Sequence, residues 1–125
     1  MKIALRSIIE AGDPQKERIT LKVTEPADIG DFMLTRNLQV GDEIAIEALN
    51  TFWFPYSLVD KGDLIVLYTR KGEAKTKPLD NGSTAHFFFW GIDQPIWRGD
   101  DASPVLMYIP EWSTTTAAQL RRKIR

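Results

Sequence analysis

The feature that most constrains the fold is residues 50–70, read Asn-Thr-Phe-Trp-Phe-Pro-Tyr-Ser-Leu-Val-Asp-Lys-Gly-Asp-Leu-Ile-Val-Leu-Tyr-Thr-Arg. Residues 51–54 form an aromatic segment that Pro55 stops, because proline has no N–H to continue a ladder. Asp60-Lys61-Gly62-Asp63 is a polar turn. Residues 64–68 are then apolar at successive positions. Both segments are too short for a helix and rich in aromatic or β-branched residues, so they read as strands. A strand that is apolar on both faces needs cover on both sides, which places 64–68 at the centre of a sheet.

The rest of the chain repeats this grammar. Residues 2–11 form a short apolar segment that Gly12-Asp13-Pro14 ends early. Residues 18–24 alternate, with Ile19, Leu21 and Val23 on one side and Arg18, Thr20, Lys22 and Thr24 on the other, as in a half-buried strand. Pro26 and Gly30 break the connection that follows, and Phe32-Met33-Leu34-Thr35 begins another strand. Residues 43–49 alternate again and predict a strand. Residues 73–77 are polar and precede Pro78, which predicts an edge strand or loop. Asn81-Gly82 is a tight-turn signal. Residues 86–90 predict a strand buried on both faces, and Gln94 to Trp97 is a short segment. Residues 105–109 form the last strand before Pro110. About eight or nine short strands result, with no convincing helix in the first 110 residues.

A chain of 125 residues is one domain by length, and 43% hydrophobic with 26% charged residues is ordinary globular composition. There is no cysteine, which excludes disulfides and thiolate metal sites and permits a reducing compartment. The N-terminal Met1-Lys2-Ile3-Ala4-Leu5-Arg6 does not read as a signal peptide. No apolar run approaches the ~20 residues of a membrane span. The expected compartment is the cytoplasm. A net charge of −1 gives the chain as a whole no bias toward nucleic acid, which is therefore not an expected partner.

From Glu17 to Tyr68 the order of signals resembles the lamin tail domain family. The matching residues are Glu17-Arg18-Ile19-Thr20-Leu21-Lys22, then Ala27-Asp28-Ile29-Gly30-Asp31-Phe32-Met33-Leu34. Phe54-Pro55, Leu58, Lys61-Gly62-Asp63 and Leu64-Ile65-Val66-Leu67-Tyr68 complete the match. Phe32 stands where the family usually has Trp, and the last turn lacks the family's Pro-Gly pair. The resemblance implies an all-β, immunoglobulin-like antiparallel β-sandwich. It brings no catalytic residues and implies an interaction module. The change of character after Pro110-Glu111-Trp112 divides the chain into a lamin-tail-like domain over residues 1–112 and a basic C-terminal tail over 113–125.

Candidate chemistry is sparse. The one histidine, His86, opens an apolar run, and nothing in the spacing pairs it with Ser83 or Ser103. It reads as a structural histidine. The acidic groups Asp28/Asp31, Asp60/Asp63 and Asp93/Asp100/Asp101 lack calcium-loop spacing and read as turn chemistry. No metal or cofactor is expected. The aromatics carry more information, since all but Phe32 lie at or after Phe52. Neighbours on a strand point to opposite faces. Phe87 and Phe89 therefore cannot share a face with Phe88 and Trp90. Phe54, Phe87 and Phe89 are expected in the core. Trp53, Trp90, Trp97 and Trp112 are the candidate binding residues, with Trp90 and Trp97 in a partner contact. In the tail, Ser113-Thr114-Thr115-Thr116 precedes a short helix from Ala117, with Ala117, Leu120 and Ile124 on one side and Arg121, Arg122, Lys123 and Arg125 following.

The expected function is a non-catalytic protein-interaction or structural module. It self-associates, as a homodimer, or binds a protein partner through an aromatic surface. The alternative is a carbohydrate- or ligand-binding sandwich that uses exposed Trp faces. A small hydrolase built on His86 ranks third.

Overall fold

The computed structural model describes residues 1–122. In chain order the strands are β1 (Ile3–Ile9), β2 (Arg18–Val23), β3 (Ala27–Asp28), β4 (Phe32–Val40), β5 (Glu43–Ile44) and β6 (Asn50–Trp53). They continue with β7 (Leu58–Val59), β8 (Leu64–Tyr68), β9 (Lys75–Pro78), β10 (Thr84–Phe89) and β11 (Ala102–Tyr108). One short helix, α1 (Ala117–Arg122), follows. The fold is all-β, with eight strands of four or more residues among those described. None of its described helices is long and apolar enough to cross a membrane.

Five strands form one sheet in the order β1-β2-β8-β10-β9. In the second sheet β4 is central, with β11 on one side and β5 and β6 on the other, and β3 and β7 form a two-stranded pair. One apolar core draws on both larger sheets: Ile19, Leu21, Ile65, Leu67 and Phe88 from the first, Phe32 and Leu34 from the second. Each such side chain contributes roughly 1.5–3 kcal/mol on burial. The alternation of 18–24 is realised, with Ile19, Leu21 and Val23 buried. Strand β8 is central between β2 and β10, as its two-sided apolar character requires.

Three expectations are corrected. The sheets are not wholly antiparallel, because β8 and β10 run parallel, Tyr68 opposite Phe89. The chain leaves β8, forms the exposed edge strand β9, and returns between them. Residues 43–49 are a strand only at Glu43–Ile44. Strand β4 already pairs with β6 at Met33–Arg36 and with β5 at Gln39–Val40, so the chain between those pairings loops outward. Ile46 is fully exposed as a result. The short segment 94–97 lies in the loop before β11. The last strand begins earlier than expected and contains Pro104, which is tolerated because β11 pairs on one side only.

The short helix that the sequence allows in the tail forms over Ala117–Arg122, with Thr116 Oγ1 accepting from the Gln119 amide at its start. Lys123, Ile124 and Arg125, which complete the expected apolar stripe and basic run, lie outside the described residues.

Candidate functional site

An aromatic cluster is built outward from the 3-10 turn Ile29–Asp31. The Asp28 carboxylate accepts from the amides of Gly30 and Ser57, both at 2.9 Å, and so pins this turn to the segment after Pro55. A Cβ on Gly30 would meet the Tyr56 ring at 2.4 Å, so only glycine lets that ring lie against the backbone. The Gly30 carbonyl accepts from Trp53 Nε1 at 2.8 Å. Trp112 Nε1 donates to the Tyr56 hydroxyl at 3.0 Å. The two indoles meet edge to face, with centroids 4.9 Å apart at 87°. Edge-to-face geometry is the favoured arrangement of aromatic pairs, worth roughly 0.5–1.5 kcal/mol beyond burial. Trp53, Tyr56 and Trp112 nevertheless remain 39%, 57% and 53% exposed. The rings are thus fixed in place while still presenting apolar area to solvent. Leu58, two residues on, is also exposed.

Of the four tryptophans singled out by sequence, Trp53 and Trp112 come together here and the other two do not. Trp97 is 4% exposed and belongs to the core, which corrects its expected place on the surface. Trp90 is half-buried, packs against that core beside Phe52 and Trp97, and donates from Nε1 to the Thr51 carbonyl. The register of β10 explains it. Phe88 is the inward ring, and Phe87 and Phe89, expected in the core, are half-exposed beside Tyr68. Phe54 is buried as expected. Sequence reading missed Gly30 and Tyr56 as members of the cluster. The signals were that Gly30 is a breaker and that Tyr56 stands three residues from Trp53 in the same aromatic stretch.

A buried carboxylate explains the position of Trp97. Glu17, 1% exposed, accepts from the amides of Gly12, Ile96 and Trp97 and from the Thr69 hydroxyl. It ties the loop before β11 to the turn between β1 and β2. Four donors satisfy a charge that would be costly in a core without them.

His86 is buried, and its Nε2 lies 2.8 Å from Asp63 Oδ2. Burial pushes the Asp63 carboxyl up, but bonds from the Asp60 amide, His86 and the Thr84 amide outweigh it and hold it below the usual range. The pair fastens the turn before β8 to β10. Neither Ser83 nor Ser103 hydrogen-bonds the His86 ring among the described residues. Asp28 and Asp63 both do the turn work that the sequence assigned to acidic groups.

Compared with known proteins, the chain matches no family model, and no curated protein matches its sequence.

Proposed function

We propose that the protein is a non-catalytic interaction module that meets a second copy of itself through the Trp53, Tyr56 and Trp112 cluster. The fold within this reading is an immunoglobulin-like β-sandwich of the lamin-tail kind. Its support is that residues carrying the resemblance, among them Ile19, Leu21, Ile29, Leu34, Phe54, Ile65 and Leu67, lie in the core. The parallel β8–β10 pair departs from that antiparallel pattern.

One observation carries the functional reading: the cluster is exposed yet already ordered. Large rings held in place lose little conformational entropy on binding, which is why Trp and Tyr dominate interface energetics. Both indole N–H groups are already engaged within the cluster. What remains outward is mainly apolar ring area, which suits another protein's apolar side chains better than a sugar's hydroxyls. A twofold contact lets one patch serve both partners, the commonest way soluble chains assemble. Light scattering across a micromolar concentration series tests this. The wild type is expected to rise above monomer mass and Trp53→Ala/Trp112→Ala to stay monomeric. Glycan-array binding that depends on Trp112, by a protein monomeric throughout, would replace self-association by carbohydrate recognition.

A further inference from the structure

The outer face of the five-stranded sheet carries a second aromatic group. Tyr68 on β8 and Phe89 on β10 stand opposite one another, with rings stacked at 5.3 Å and 13°. Phe87, two residues earlier and about 7 Å along the strand, lies 6.5 Å from Tyr68. A Cβ on Gly72 would meet the Phe89 ring at 2.5 Å, so this glycine lets the loop after β8 close on the ring. Cations surround the rings. The Arg70 guanidinium lies 4.9 Å and 5.0 Å over Tyr68 and Phe89, Arg18 lies 5.7 Å over Tyr68, and Lys75 Nζ lies 5.8 Å over Phe87. Lys77 follows Lys75 on the same side of the edge strand β9. Tyr68, Arg70, Lys75, Lys77, Phe87 and Phe89 border an open hollow of about 350 Å³.

None of these cations is paired with a carboxylate among the described residues; the two ion pairs there are Lys71–Asp93 and His86–Asp63. Arg70 and Arg18 are instead held by backbone carbonyls, Arg70 by those of Gln15 and Lys71 and Arg18 by that of Lys16. An ordinary solvated sheet face mixes both signs of charge. This one has a single sign, and rings where polar side chains would do. Its charge complement is an anion, and its stacked rings select an anion that carries flat π-systems. Single-stranded nucleic acid supplies both, phosphates for the cations and unpaired bases for the rings. A duplex hides its bases, and an acidic peptide has no regular π-faces.

We propose that this face binds single-stranded nucleic acid, with bases against Tyr68, Phe87 and Phe89 and phosphates along Arg18, Arg70, Lys75 and Lys77. The site is separate from the Trp53 cluster and does not depend on self-association. The net charge of −1 argues against such a partner only for the chain taken as a whole. The strand positions facing this side carry no acid, so the charge is segregated rather than absent.

Fluorescence anisotropy with a labelled oligothymidylate of about 12 nucleotides tests the proposal, a length within the usual range of single-strand sites. Binding is expected at low salt, with log affinity falling against log salt at a slope of about −3 for four phosphate contacts. Phe87→Ala is expected to weaken binding about tenfold with the slope unchanged, the effect of losing one stacking ring. Lys75→Glu/Lys77→Glu sits on an exposed edge strand, where folding does not depend on these side chains. It is expected to weaken binding and flatten the slope. A matched duplex and poly-glutamate are expected to compete poorly. Absence of binding at low salt would overturn the proposal. So would poly-glutamate competing as well as oligothymidylate while Phe87→Ala binds like the wild type, which would mark a general attraction for polyanions or acidic peptides.

Discussion

Glu17 shows how far a single side chain reaches in this molecule. Its carboxylate collects donors from Gly12, Thr69, Ile96 and Trp97, the last 80 residues away in sequence. Glu17→Ala leaves those donors buried and unpaired. The expected loss is about 3 kcal/mol or more, since each unmade buried bond costs roughly 1–3 kcal/mol. Thermal melting reads this as a drop on the order of 10 °C; a drop of a degree or two would mean that the loop is held by packing alone. Glu17 enters the sequence reading only as the first residue of the family resemblance, because a glutamate before a strand is commonplace and its partners are remote. Asp63 and His86 were more legible, as a turn aspartate and a structural histidine, though not as a pair. Asp63's folded value lies below the ordinary 3.8. Its contribution is therefore fully present above about pH 3.8 and lost as pH falls through the folded value. Melts of wild type and Asp63→Asn are expected to differ by a constant amount from neutral pH to about pH 4, and to converge below it. A gap unchanged at about pH 2 would show that the Asp63 charge contributes nothing.

At the scale of elements, patterns that repeat locally were readable and those set by a neighbour were not. The alternation in β2 and the two-sided run in β8 fixed their own burial. The equally regular alternation at Glu43-Ile44-Ala45-Ile46 did not become a long strand, because β4 has no free edge left there to receive it. Which face of β10 turns inward depends on β8 and β9 and cannot be read from its own run of aromatics. That missing information reversed Phe87 and Phe89 with Phe88 and Trp90. Trp97 is held inward by another remote neighbour, the Glu17 carboxylate that accepts from its amide. Trp97→Ala is accordingly expected to cost about 3–5 kcal/mol, as for a large ring removed from a core. A loss below ~1 kcal/mol in denaturant melts would return Trp97 to the surface. The tail behaves oppositely. Helix α1 buries no side chain, and the hydrogen bonds in it are local. Truncation after Trp112 is expected to shift the melting temperature by less than ~2 °C. A larger fall would show that the tail docks on the sheets.

Taken whole, the molecule is two sheets over one core with two different aromatic surfaces. One, at Trp53, Tyr56 and Trp112, is pinned by the Asp28 carboxylate and has its indole N–H groups already engaged; the other, at Tyr68, Phe87 and Phe89, is ringed by cations. Composition hid this division, since a net charge near zero and an ordinary apolar fraction average over both. The central claim is that the Trp53 cluster is where the chain meets its own copy, and the indole N–H resonances of the four tryptophans test it most directly. Nitrogen-resolved spectra recorded from low micromolar to millimolar concentration are expected to show the Trp53 and Trp112 signals shifting and broadening together, while Trp97 stays still. Four stationary indole signals across that range, or movement at Trp97 alone, would contradict it.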